Sequence, residues 1–350
     1  MQKTITFLLI TLLIINLLYV LSEVLFQPII SMDVIGIWLF KAKAIFLGKD
    51  YFFRQLSSPE FSYSSQDYPI LLPLSFSLIF ELAGGIKEKF VLLLYPLLYS
   101  LILFLTYKSF RTKASVNISL LFTYLFSMFS PLLAQAGRSH AGNADIVLVF
   151  LASLALYLLL AFPKSPKLLF YLTLVAMTAS QIKMEGVFLV LLLLFLPLGK
   201  KQKMMFIFLS LIPFFVWTFI VKVLIKIPFT RFYLPPLPEI FFRSKIIIFG
   251  LFKEILNIKN WYIFWPIFAL GFFIKEKASN LIKKVIFPFL VGNSILFFII
   301  YIFSSTPTEK YVPSSIGRIL LQLSPWFFLI FFENTLPEVM KLKKRFSQFL

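Results

Sequence analysis

The stretch Val187-Phe-Leu-Val-Leu-Leu-Leu-Leu-Phe-Leu196 is apolar on every face. A membrane-spanning barrel strand alternates apolar and polar residues over about ten positions, so a run without alternation argues for helix. Comparable runs of about 17–22 residues recur along the chain, each long enough to cross a hydrocarbon core of roughly 30 Å. With 60% hydrophobic residues, 19% aromatic residues and a mean hydropathy of +0.92, the 350 residues are far from a soluble mixture. The expected fold is an all-α polytopic membrane protein forming a single integral-membrane domain.

Spans are expected near 5–21, 90–107, 116–134, 146–162, 168–182, 186–199, 204–225, 261–274, 285–303 and 317–333. The segment 69–84 is apolar but short and broken by prolines, and charge decides its place. If it lies at the outer interface, Lys108/Arg111/Lys113, Lys164/Lys167, Lys200/Lys201/Lys203, Lys275/Lys277/Lys283/Lys284 and Lys341/Lys343/Lys344/Arg345 all fall inside, as the positive-inside rule requires. Both termini are then cytoplasmic, and every one of the 15 acids except Glu276, Glu333 and Glu338 lies on the outer side.

The formal charge of +19 is explained by this topology, since most basic residues flank apolar spans; nucleic acid is not an expected partner. Absence of cysteine excludes thiol catalysis and thiolate metal sites, and a single histidine, His140, excludes a site of several imidazoles.

Several ionisable groups converge at the outer ends of the spans. Asp33 opens the first outer loop, where a carboxylate is either chemistry or a helix cap. Trp38, Lys41 and Lys43 follow, equally at home on a membrane-surface helix. Asp67-Tyr68-Pro69 reads as turn chemistry or as part of a site. Asp145 starts a span after Gly142-Asn-Ala, again a cap or a catalytic acid. Arg138 and His140 precede it, and the histidine reads as a surface hydrogen-bonding residue or as a site residue. Lys183-Met-Glu185-Gly186 interrupts about thirty apolar residues, where a turn alone needs only small polar side chains. Arg318 heads the last span with Gln322 about one turn further in; arginine suits bidentate phosphate recognition, and also snorkels to interfaces.

This pattern resembles the GT-C class of integral-membrane glycosyltransferases, which use polyprenyl-phosphate-linked sugars and include protein O-mannosyltransferases and aminoarabinose transferases. That class has an acid just after the first span, then two interfacial helices, and a second acid at the outer start of the fourth span. Asp33, Trp38 to Leu47, Tyr68 to Pro73, and Asp145 look like these features. A bacterial group within the class is similar in carrying Trp-x-x-Lys-Ala-Lys, Asp-Tyr-Pro-x-Leu-x-Pro, Lys-x-Glu-Gly and Ser-x-x-Arg-x-x-x-Gln. Here these are Trp38 to Lys43, Asp67 to Pro73, Lys183 to Gly186 and Ser315 to Gln322. One departure is that many members have two adjacent acids in the first loop, whereas Val34 follows Asp33.

The resemblance implies a catalytic module over 1–225, with a first outer loop over 23–89, and an outer loop and C-terminal spans over 226–350. It implies inverting transfer of a sugar from a polyprenyl-phosphate donor to a hydroxyl of a glycan, lipid or protein, at the outer face of a bacterial inner membrane. Asp33, Asp67 and Asp145 are the expected catalytic acids. Lys183, Arg318 and Arg138 are expected to bind the donor phosphate, and Glu185, His140, Trp38, Tyr68 and Gln322 to orient substrate. No cofactor is required; a metal would have to be Mg2+ or Mn2+ on carboxylates, with Asp33 and Asp145 the candidates. Side chains selecting sugar and acceptor are expected from 226–260. The competing readings are a transporter or flippase of a lipid-linked sugar and a noncatalytic membrane scaffold.

Overall fold

The computed structural model describes residues 2–138, 140–228, 232–273 and 279–348. Among them, six helices are long and apolar enough to cross a membrane: Gln2–Phe26, Glu88–Arg111, Ala144–Ala161, Lys200–Leu224, Ile282–Phe303 and Thr308–Met340. Val116–Ser127 and Ser130–Ala136 make a seventh candidate, bent by 72°. Pro131 stands in the first turn of the second piece, where its fixed φ favours a new helix start over continuation of the old one. The helices Leu168–Ile182, Met184–Phe195 and Phe264–Phe273 occupy the other three expected spans. At 1.5 Å per residue they reach only about 15–22 Å, less than the hydrocarbon thickness.

After the first helix the chain turns through a wide helical segment, Val34–Leu39, continuing as Phe40–Leu47 and then Lys49–Ser57. Leu71–Leu82 follows with 12 residues, shorter than the hydrocarbon thickness, over the segment expected at the outer interface. Polar contacts fasten the first helix to Val116–Ser127: Asn16 Nδ2 donates to Ser127 Oγ at 2.9 Å, and Thr6 Oγ1 to Asn117 Oδ1 at 2.5 Å. In hydrocarbon such interhelical hydrogen bonds add to van der Waals packing, because lipid tails give helices no hydrophobic reason to associate.

The last helix and Ala144–Ala161 are the most enclosed spans and pack against each other at the centre. Toward one end the last helix is locked by aromatic rings: Phe332 stacks on Phe110 with centroids 4.3 Å apart and meets Phe122 edge-on at 4.9 Å. Lys113 pairs there with Glu333. A cavity of about 620 Å³ at Pro163, Pro197, Gln202 and Lys284 gathers three of the turns expected inside. Arg318 lies fifteen positions before Glu333 on one helix, so the expected site is about 22 Å from that end. Lys275, Glu276 and Lys277 fall outside the described residues, as do Phe229, Thr230 and Arg231 of the aromatic loop. Reporter fusions at Lys113 and Lys203 are expected to report the same, cytoplasmic, side; an outer location for either would split the arrangement across the bilayer.

Candidate functional site

Two close backbone approaches assemble the site. Gly142, with φ of 111°, lets the loop before Ala144–Ala161 sit against the first-loop helix; a Cβ there would lie 2.3 Å from Val34 Cγ1. Gly186 lets the chain double back after Leu168–Ile182, where a Cβ would meet the Ala179 carbonyl oxygen at 1.8 Å. Lys183, in extended conformation between the two helices, is thereby turned toward Asp145.

A chain of charges results, running Glu185, Lys183, Asp145, Arg318, Asp33. Asp145 Oδ1 accepts from Lys183 Nζ at 3.1 Å and from Gln322 Nε2 at 2.6 Å, while its Oδ2 is 3.6 Å from Arg318 Nη1. Lys183 also stands 3.4 Å from Glu185 Oε1, and Arg318 Nη1 donates to Asp33 Oδ2 at 2.5 Å. Asp33, at the N-cap of Val34–Leu39, makes no side-chain cap hydrogen bond, and Asp145 lies in the first turn of Ala144–Ala161, whose N-cap is Asn143. The cap readings of Asp33 and Asp145 give way to ion pairing. Burial alone would lower the Lys183 pKa, but Asp145 and Glu185 outweigh it and hold the ammonium above its ordinary range.

Exposure separates the two acids. The Asp145 side chain is 2% exposed, whereas that of Asp33 is 42% exposed. Asp33 and Arg318 border an open cavity of about 570 Å³ together with His140, Asn143, Gln135 and Glu254.

Of the other expected residues, His140 borders the same cavity and Tyr68 stands near enough to Lys183 to act on its charge, whereas Asp67 and Arg138 are engaged with other partners. Asp67 lies 3.6 Å from Lys222, and its carbonyl accepts from Trp217 Nε1 at 3.0 Å. It borders a smaller cavity of about 230 Å³ with Ser65, Gln66 and Lys226. Trp38 stacks on Tyr68 at 5.6 Å, and the buried Lys41 ammonium clips the loop by donating to the carbonyls of Ser65 and Tyr68 at 2.7 and 3.1 Å. Arg138 turns to Tyr19 and Ser130, its Nε donating to Tyr19 Oη at 3.0 Å and its Nη1 to Ser130 Oγ at 2.9 Å. His140 Nδ1 lies 2.9 Å from the Arg138 carbonyl. Among the described residues, no group of three or more His, Asp or Glu side chains is placed to hold a metal ion.

Sequence reading expected selecting side chains from 226–260 but did not single out Glu254. It ends the helix Leu237–Ile255, where a loop was expected, and Oε1 accepts from Asn260 Nδ2 at 2.7 Å and Trp261 Nε1 at 2.9 Å. The helix is held by Arg243, whose Nη1 donates to the Ile302 and Ser304 carbonyls. Nothing in the local sequence marks Glu254 as lining the Asp33 cavity, because the two are brought there only by packing against the last helix.

Together these features define a polytopic helical membrane protein with a buried charge chain that opens, through Asp33 and Arg318, onto a cavity away from the Lys113–Glu333 end. No family model matches the chain, and no curated protein or solved structure matches it.

Proposed function

We propose that the protein is a glycosyltransferase that moves a sugar from a polyprenyl-phosphate donor to a hydroxyl acceptor at the outer face of the cytoplasmic membrane. The observation that carries the reading is the half-open Asp33–Arg318 pair at the cavity, backed by the enclosed Asp145–Lys183 pair. The donor phosphate, binding to Arg318 by a charge-assisted hydrogen bond, displaces Asp33 from the guanidinium and frees its carboxylate. Asp33 then takes the acceptor hydroxyl proton while the acceptor oxygen bonds to the anomeric carbon. The bond from that carbon to the phosphate oxygen breaks, and the lipid phosphate leaves with the electron pair. Arg318 stabilises the charge that develops there.

Asp145 is a positioning residue, fixing Arg318 and Gln322 on the last helix and Lys183 at its turn. Asp67, paired to Lys222, is the weaker candidate for the base. The cavity volume lies within the range of about 300–1,000 Å³ usual for small-molecule sites. In the ten-span topology that accompanies this reading, the three short helices complete the bundle, both termini are cytoplasmic, and the chain forms one catalytic domain. Incubating the purified protein with labelled polyprenyl-phosphate sugars and hydroxyl acceptors tests the function. Transfer or slow hydrolysis of the donor supports it; translocation across vesicles with neither would replace it by a lipid-linked sugar transporter.

A further inference from the structure

The wall of the Asp33 cavity is unevenly furnished. Gln135 and Asn143 stand on it, 4% and 2% exposed, and the side-chain carbonyl oxygen of each is buried without a hydrogen-bond partner. An unpaired buried carbonyl costs about 1–3 kcal/mol, and a ligand donor would recover part of that once the amide turns its enclosed oxygen toward the cavity. Glu254, which lines the same cavity, is held through Oε1 by Asn260 and Trp261.

The charges are unbalanced in the same sense. Asp33, Asp145, Glu185 and Glu254 are four carboxylates, whereas Lys183 and Arg318 are the two cations of the cluster, each already paired. Arg138, which was expected to join them, is engaged with Tyr19 and Ser130, and neither Lys253 nor Lys259 beside Glu254 lines the cavity. A lipid phosphate adds another negative charge, and Arg318 can meet it only by leaving Asp33. Among the described residues, no lysine or arginine other than Arg318 lines the cavity to meet a second anion on the transferred group.

We infer that Gln135, Asn143 and Glu254 form a subsite for the hydroxyls of a sugar without negative charge, and that the site rejects uronic acids. This rests on the proposed transfer only in assigning the bound sugar to the donor. Hydroxyls are both donors and acceptors, so they suit a wall of amides and carboxylates, whereas a uronate carboxylate would face Glu254 and Asp33 unpaired.

The test is saturation-transfer NMR on the full chain in nanodiscs, using methyl glycosides of glucose, galactose and mannose against methyl glucuronide and methyl galacturonide. At least one neutral glycoside should saturate, with the uronides weaker by about tenfold or more, about 1.4 kcal/mol. Glu254→Gln, which keeps an oxygen for Asn260 and Trp261 while removing the charge, should shrink that gap to about threefold, or 0.6 kcal/mol. Gln135→Leu should weaken the neutral glycoside with little change in melting temperature. Equal binding of uronides and neutral sugars overturns the inference, as does a gap that Glu254→Gln leaves intact. It is also overturned if no glycoside saturates below ~100 mM, where binding would be worth less than about 1.4 kcal/mol. Neutral-sugar binding without sugar transfer from any lipid donor would sink the transferase and leave the subsite; transfer that accepts uronates equally would do the reverse.

Discussion

Asp145→Ala is expected to lower the stability of the folded protein by about 3–5 kcal/mol, the range for removing one partner of a buried charge pair. Its carboxylate receives Lys183, Gln322 and the approach of Arg318 in a site where its own side chain is 2% exposed. Without it, two cations are left with Glu185 and Asp33 alone, and the last helix loses its polar tie to the start of Ala144–Ala161. Removing both members of a pair is different, because no uncompensated charge is left behind. The combination Asp145→Leu with Lys183→Met should therefore cost less than the sum of the single changes, with a coupling of roughly 0.5–3 kcal/mol. Thermal unfolding in one detergent, monitored by size-exclusion chromatography after heating, reads both effects. An unchanged melting temperature for Asp145→Ala would mean the pair does not hold the bundle. Because Lys183 is held above its ordinary value of 10.5, its contribution is complete below that pH and fades as the pH climbs past it. The Asp145→Ala deficit should accordingly stay constant across the neutral range.

The second large effect is kinetic. Asp33→Asn should reduce transfer about 10²–10⁴-fold, the usual worth of a general base, equivalent to about 3–5 kcal/mol in the barrier. The amide has the shape of the carboxylate and still offers an oxygen to Arg318, but it cannot take a proton. With the side chain 42% exposed, the lost ion pair should cost at most about 1 kcal/mol of stability. Folding and insertion should therefore survive, and the loss should fall on kcat with KM much less affected. A stable variant that transfers at the full rate removes Asp33 from the mechanism.

The members of this charge chain were legible in the sequence for a physical reason. Lys183 and Glu185 interrupt long apolar runs, and Asp145, Arg318 and Gln322 stand at span ends, where ionisable groups are costly unless they find partners. Alternating topology then put them on one side. Their pairing was not legible, because partners at separations such as 285 residues, as for Asp33 and Arg318, are chosen by tertiary packing. Asp67 shows the limit: its neighbours in sequence resemble a site motif, yet it pairs with Lys222 and borders another cavity. Arg138 likewise follows the ring of Tyr19 on the first helix. The turn at Lys183 to Gly186 was marked by its charges, whereas the break before Ser130 was not, since hydropathy alone carries through it.

The most direct measurement of the central claim is single-turnover release of polyprenyl phosphate from labelled lipid-linked sugars by wild-type protein and Asp33→Asn, at matched melting temperatures. The account predicts release with acceptor-dependent transfer in the wild type and a loss of about two orders of magnitude or more in the variant. Equal release by both proteins, or none by the wild type across a panel of neutral-sugar donors, would contradict it.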